Sequence, residues 1–199
     1  MIIRNRARQT FSAATGQRSA EASRLASLAW IVILTLAGVG GSLVISCTTP
    51  FAALAVALAG TVRLTAALRA IIAIWLTNQF IGFVFFHFPR TPNTILWGVA
   101  IGGAALLSTF VSATVLKHTT SLPAVIRLGL ALLLGFALYE TDLLVAALFL
   151  GGVETFSPAI IARLGFINFV WLVGLLALNE VVAVLCKSWI GMTPRLAKV

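Results

Sequence analysis

Acidic residues are scarce in this sequence, which has five Asp and Glu against 14 Lys and Arg in 199 residues. Charged residues make up only 10% of the chain, whereas a soluble domain usually carries about 25%. Because 60% of the residues are hydrophobic and the mean hydropathy is +1.08, the chain needs lipid around its apolar surface. Apolar runs such as 28–45 and 128–138 lack the alternation of membrane β-strands, so the composition predicts α-helical spans.

Several functional motifs are also absent. The sequence contains no Gly-x-Ser-x-Gly motif, no phosphate loop and no cluster of His and Asp typical of nickel permeases. These absences argue against an intramembrane serine protease and an ATPase. The net charge of +9 does not predict binding to nucleic acid, because the basic residues lie at the ends of apolar segments.

The order of apolar and polar stretches predicts an all-α membrane domain with six transmembrane helices. The six apolar segments are 26–46, 50–66, 68–88, 94–117, 123–150 and 158–187. A basic tail at 1–25 precedes this domain (26–187), and a second tail follows at 188–199. All Lys and Arg residues except Arg90 and Arg163 then fall on one side. The positive-inside rule therefore predicts that both termini lie in the cytoplasm of a bacterial inner membrane.

Small residues recur at helical spacing on several of these segments. The pairs are Ala53 and Ala57, Ala55 and Ala59, Gly98 and Gly102, and the group Gly38, Gly41 and Ser42. Such faces allow two helices to approach closely. They predict either packing inside this chain or a docking face for a partner membrane protein.

The two cysteines are Cys47, at the predicted outer end of the first segment, and Cys186, at the predicted inner end of the sixth. They lie on opposite sides of the bilayer in this prediction, so they cannot form one disulfide. Cys47 has three possible roles. The sequence Val44-Ile45-Ser46-Cys47 is compatible with a lipoprotein cleavage site, although another apolar segment follows it. Cys47 is otherwise either a structural residue or a metal ligand. It stands before the N-terminus of a predicted helix, which favours a thiolate, and a thiolate suits a soft or borderline metal.

Polar and aromatic residues cluster on the third segment. Trp75, Asn78, Gln79 and Gly82 have the spacing of one helical face. Buried amides in a membrane need partners, so this face predicts either interhelical hydrogen bonds or a cavity for a polar ligand. The aromatic residues that follow, among them Phe83, predict an interfacial belt or a pocket wall. His87, near the predicted outer surface, is either solvated or a ligand.

Acidic residues inside a span are functional candidates. The fifth segment carries Tyr139, Glu140 and Asp142, and its length suggests a break at these residues that opens to the outer side. The alternative is that the acids pair with Arg163 or with a neighbouring amide.

Three short stretches resemble the BtuM family of small proteobacterial membrane proteins, which are similar to the substrate-binding S-components of energy-coupling-factor (ECF) transporters. These stretches are Cys47-Thr48-Thr49-Pro50-Phe51, Trp75-x-x-Asn78-Gln79-x-Ile81-Gly82-Phe83 and Trp97-Gly98. The resemblance implies an S-component-like six-helix bundle, cobalamin uptake and coordination of the cobalt by Cys47. It also implies a partner module that hydrolyses ATP.

The residues and the resemblance together predict a corrinoid site on the periplasmic side. The predicted site residues are Cys47, Thr48, Phe51, Trp75, Asn78, Gln79, Phe83, His87, Tyr139, Glu140, Asp142 and Arg163. Thiolate binding on one face of the cobalt would weaken its bond to a ligand on the other face, such as cyanide. The alternatives are a secondary permease for nickel or cobalt ions and a membrane scaffold or assembly factor.

Overall fold

The computed structural model describes residues 49–190, together with Ala29, Val32, Ile33, Leu36 and Gly40 in helical backbone. Between residues 49 and 190 all regular structure is helical, as predicted. The elements are α1 (Phe51–Thr61), α2 (Leu64–Val84), α3 (Pro92–His118), α4 (Ala124–Leu150), a 3₁₀ turn (Val153–Thr155) and α5 (Pro158–Ile190).

Four of these helices are long and apolar enough to cross a membrane, namely α2, α3, α4 and the Pro158–Val182 part of α5. The shortest, α2, has 21 residues and is therefore about 32 Å long, which matches a hydrocarbon core of about 30 Å. Large apolar side chains on the outward faces of the bundle are exposed, such as Phe149 at 84% and Val125 at 82%. The chain is therefore a multi-pass helical membrane protein.

Helix α1 differs from the span predicted at 50–66. It has 11 residues, so it is only about 16 Å long and cannot cross the hydrocarbon core by itself. Every residue from Phe51 to Leu58 is buried, and α1 packs against α2, α3, α4 and α5. A helix that is apolar all round is a core helix. The predicted first span, 26–46, lies outside the described residues except for the five named above.

The buried position of α1 also decides the role of its alanines. Ala53, Ala55 and Ala57 are no more than 1% exposed, so these faces pack inside the chain and cannot dock a partner. The glycine face of α3 is filled in the same way by side chains of α2. The group Gly38, Gly41 and Ser42 lies outside the described residues.

Arg69 and Arg127 lie within α2 and α4, inside segments that the sequence predicts to be helical. Arg127 is only 3% exposed, and its Nη2 donates to Leu116 O at 2.6 Å. The prediction of a break in the fifth segment at residues 139–142 is wrong, because α4 is continuous there. Arg127 thus binds a carbonyl at the C-terminal end of α3, where a cation is favourable.

Helices α3 and α4 form the most extensive contact among the described helices, and Gly135 lies in this contact. A Cβ at Gly135 would lie 2.7 Å from Ser112 Oγ and 3.0 Å from Ser108 Oγ. Both serines are fully buried, so they cannot turn into solvent. Close approach of these two helices therefore depends on the missing side chain.

We expect Gly135→Ala to lower the free energy of unfolding by about 1–2 kcal/mol, because the new methyl group overpacks this contact. The matched control is Gly129→Ala on the same helix, where no atom lies within 4 Å of an added Cβ. This change should be neutral or stabilise the protein by up to about 1 kcal/mol through helix propensity. Unfolding in mixed micelles measures both changes, and equal effects would contradict the tight contact.

Candidate ligand cleft

A cleft of about 260 Å³ opens where α2 ends and α3 begins. Its lining residues are Asn78, Gln79, Gly82, Phe83, Phe86, Phe88, Thr94, Trp97, Gly98 and Ile101. Four of these residues are aromatic, three have polar side chains, and none of the ten is charged. We call the end of the bundle formed by Thr49 and segments 85–91 and 151–157 the cleft end. The predicted polar face of α2 thus forms one wall of a cavity.

Trp75 connects α2 to α3 next to the cleft. Its indole Nε1 donates to Gly98 O at 2.8 Å. The ring packs on Gly102, where an added Cβ would lie 2.7 Å from Trp75 Cε2. Trp75 does not line the cleft itself. Its predicted place on the polar face is correct, and its contacts fix the distance between α2 and α3.

The two amides on α2 have different partners. Asn78 Oδ1 accepts a hydrogen bond from Thr49 Oγ1 at 3.0 Å, which leaves the Asn78 amino group as a donor. Gln79 packs over Gly98, where a Cβ would lie 2.5 Å from Gln79 Oε1. Neither the Asn78 amino group nor the Gln79 amide has a hydrogen-bond partner among the described residues. The Asn78 oxygen thus joins two segments of the chain, and the remaining polar atoms of the two amides line the cleft.

The aromatic wall depends on a sharp turn after α2. His87 has a φ of 53°, a left-handed conformation in which His is one of the more tolerated residues. The turn brings Phe88 back, so that its N–H donates to Gly82 O at 3.1 Å. The Phe88 ring then covers Gly82, where an added Cβ would lie 2.8 Å from the ring. Phe86 and Phe88 stack with ring centroids 6.1 Å apart.

The other predicted site residues that the structure describes do not line the cleft. The His87 side chain is exposed, with Nδ1 3.0 Å from Phe85 O. Phe51 is a core residue at 2% exposure, and its ring stacks on Tyr139 at 6.3 Å. Cys47 and Thr48 are outside the described residues.

The acidic residues of α4 do not form the predicted ion pair. Glu140 is buried, Asp142 is half-buried, and Arg163 is exposed on α5. No ion pair joins Arg163 to either acid. Asp142 faces α3, where its Oδ2 lies 4.0 Å from the position of a Cβ on Gly103. In the part of the chain that the structure describes, no group of three or more His, Cys, Asp and Glu could hold a metal ion.

The α3 side of the cleft was missed as a site, although Trp97-Gly98 contributed to the resemblance. Thr94, Trp97, Gly98 and Ile101 line the cleft together. Their spacing of 0, 3, 4 and 7 repeats that of Trp75, Asn78, Gln79 and Gly82 on α2. Two helical faces with the same residue spacing, separated by a short loop, could have predicted the two facing walls of one cleft.

Asn168 on α5 has a role that the sequence did not indicate. Its Oδ1 accepts a hydrogen bond from Ala53 N at 3.0 Å, and its Nδ2 donates to Leu164 O at 3.0 Å. Ala53 lies in the first turn of α1, where backbone N–H groups have no partner within the helix. Asn168 therefore holds the N-terminus of α1 beside Thr49.

A search of protein-family models, curated proteins and solved structures found no match for this chain. A functional assignment therefore rests on the residues of this chain. They form a multi-pass helical membrane protein with a cleft at one end, and the cleft is lined by uncharged residues that include aromatic rings and two amides.

Proposed function

We propose that this protein binds a corrinoid such as cobalamin at the cleft end and carries it across the bacterial inner membrane, with the Cys47 thiolate coordinating the cobalt. The proposal rests on the resemblance to the BtuM family and on one observation, the hydrogen bond from Thr49 Oγ1 to Asn78 Oδ1. This bond holds Thr49, two residues after Cys47 in the chain, on an amide of the cleft.

Covalent geometry supports a role for Cys47 next to this cleft. Two residues of extended chain span at most about 7 Å, and Cys47 precedes Thr49 by two residues. A thiol within this distance of Thr49 is within reach of a ligand that enters the cleft. The cobalt of a corrinoid is already held by its macrocycle, so a single soft protein ligand is sufficient.

The chemistry and size of the cleft support binding of part of a corrinoid. A corrin is a partly apolar disc with carboxamide side chains at its edge, and the cleft offers aromatic walls with two amides. Its volume of about 260 Å³ is smaller than the pockets that enclose a drug-sized ligand, which are about 300–1,000 Å³. We therefore propose that the cleft takes one edge of the ligand, and that the corrin plane lies at the mouth, where Cys47 would meet the cobalt.

The distribution of basic residues supports uptake from the outside. Arg63, Lys117 and Arg127 lie toward the end opposite the cleft, whereas Arg90 belongs to the cleft end. By the positive-inside rule, the opposite end is cytoplasmic and the cleft faces the periplasm. Six spans and cytoplasmic termini are part of this proposal. A coupling module of the ECF type would have to dock elsewhere than on the buried alanines of α1.

Visible spectroscopy tests the proposal. We expect protein purified from cells supplied with cobalamin to contain a corrinoid whose absorption bands are shifted by the bond from sulfur to cobalt. Cys47→Ser should remove this shift, because a hydroxyl is a much weaker ligand for the metal. Cys186→Ser is the control and should retain the shift. The proposal fails if the wild-type protein binds no corrinoid, or if the spectrum of the Cys47→Ser complex equals that of the wild type.

A further inference from the structure

The cleft lining carries information about which part of a ligand it accepts. We infer that Asn78 and Gln79 form a specificity site for a neutral carboxamide group and reject a carboxylate in the same position. This inference rests on the proposed function, since it assigns the cleft to the peripheral carboxamides of a corrinoid.

The hydrogen-bonding groups of Asn78 and Gln79 match those of a carboxamide. Thr49 occupies Asn78 Oδ1, so Asn78 offers its amino group as a donor. Gln79 offers both a donor and an acceptor, and no described residue satisfies them. A carboxamide has one acceptor oxygen and one donor amino group, and can therefore bond to Asn78 and to both ends of Gln79. An ionised carboxylate only accepts, so it leaves Gln79 Oε1 without a partner.

The position of the Gln79 side chain is set by its packing against α3. Its side-chain amide packs against Gly98, and a Cβ there would lie 2.5 Å from Gln79 Oε1. The absence of a side chain at residue 98 thus makes the space in which the amide lies. Gln79 packs on Gly98 and Asn78 is tied to Thr49, so both groups are held in place before a ligand arrives. A site that is organised in advance discriminates better than a mobile one.

The uncharged lining of the cleft also favours a neutral group over a carboxylate. None of the ten residues that line the cleft is charged, and its walls include Phe83, Phe86, Phe88 and Trp97. A carboxylate that enters such a lining loses its water shell without meeting a cation, which is far more costly than burial of a hydrogen-bonded amide. The same lining accepts an amide at little cost because its hydrogen bonds to water are replaced.

The experiment compares cobalamin with its monocarboxylate derivatives, in which one peripheral carboxamide is hydrolysed to an acid. Binding to the detergent-purified full-length protein is followed by calorimetric titration at pH 7.5, where the acid is ionised. We expect at least one derivative to bind about 100-fold more weakly than cobalamin, because its charge falls in the cleft. The inference is wrong if all derivatives bind as tightly as cobalamin.

Variants of α2 connect this discrimination to the residues. Gln79→Leu should weaken cobalamin binding about 10-fold through loss of hydrogen bonds, and it should shrink the penalty for the affected derivative. The matched control is Thr77→Val on the same helix. The Thr77 hydroxyl bonds to Ala73 O at 2.8 Å and does not line the cleft, so both affinities should be unchanged. Unaltered affinities in Gln79→Leu would overturn the inference.

The spectrum separates this inference from the proposed function. If a corrinoid binds with the shift that depends on Cys47 but the acids bind like cobalamin, only the carboxamide site is refuted. If the wild-type protein binds no corrinoid, the proposed function fails, and the carboxamide site fails with it. The Gln79→Leu complex should keep the shifted spectrum, because the sulfur still reaches the cobalt.

Discussion

Replacement of Phe51 by alanine is expected to lower the free energy of unfolding by about 3–5 kcal/mol, the range for deletion of a buried aromatic side chain. Phe51 is the first residue of α1 and is only 2% exposed. Its ring stacks on Tyr139 at 6.3 Å with an interplanar angle of 30°. The substitution thus removes a packed ring from the centre of the bundle. Equilibrium unfolding in mixed micelles, followed by circular dichroism, measures the loss.

Phe149→Ala is the matched control for this experiment. Phe149 is 84% exposed on α4, so its removal from a lipid-facing position should change stability by no more than about 0.5 kcal/mol. The comparison also decides between the two roles of Phe51. The sequence predicts that Phe51 contacts the ligand. If Phe51→Ala weakens corrinoid binding and leaves the free energy of unfolding unchanged, the core role is refuted.

The membrane-crossing helices could be predicted from the sequence because hydropathy and length determine them. Helix α1 could not be predicted correctly, because hydropathy measures only transfer out of water. The residues from Phe51 to Leu58 are apolar on every side, and such a segment has the same hydropathy in lipid as in a protein core. The helix is short because the chain turns at Val62 and Arg63, and hydropathy does not indicate this turn. The central position of α1 depends on tertiary packing.

The candidate site shows a similar division. Asn78 and Gln79 could be found because amides are conspicuous in an apolar helix, and helical spacing places them on one face. Thr94 and Ile101 are ordinary residues for a span, and they belong to the cleft only because α3 packs against that face. Glu140 and Asp142 were chosen for their charge. They lie on a helix that contributes no residue to the cleft lining, which helix order along the chain does not reveal.

The packing of α3 against α2 depends on Gly102, so Gly102→Ala should have the second largest effect on stability. The added Cβ would lie 2.7 Å from Trp75 Cε2 and 2.9 Å from Trp75 Nε1. The indole cannot move aside without breaking its hydrogen bond to Gly98 O. Overpacking and loss of this bond together should lower the free energy of unfolding by about 2–4 kcal/mol.

The neighbouring residue provides a control that differs by one position in the chain. At Gly103 the nearest atom to an added Cβ is Asp142 Oδ2 at 4.0 Å, so Gly103→Ala should be neutral or stabilise α3 by up to about 1 kcal/mol. Because Trp75 sets the distance between the cleft walls, Gly102→Ala should also weaken any ligand of the cleft, whereas Gly103→Ala should not. Unfolding and ligand titration of both variants test this, and equal behaviour would show that the indole does not set the spacing of α2 and α3.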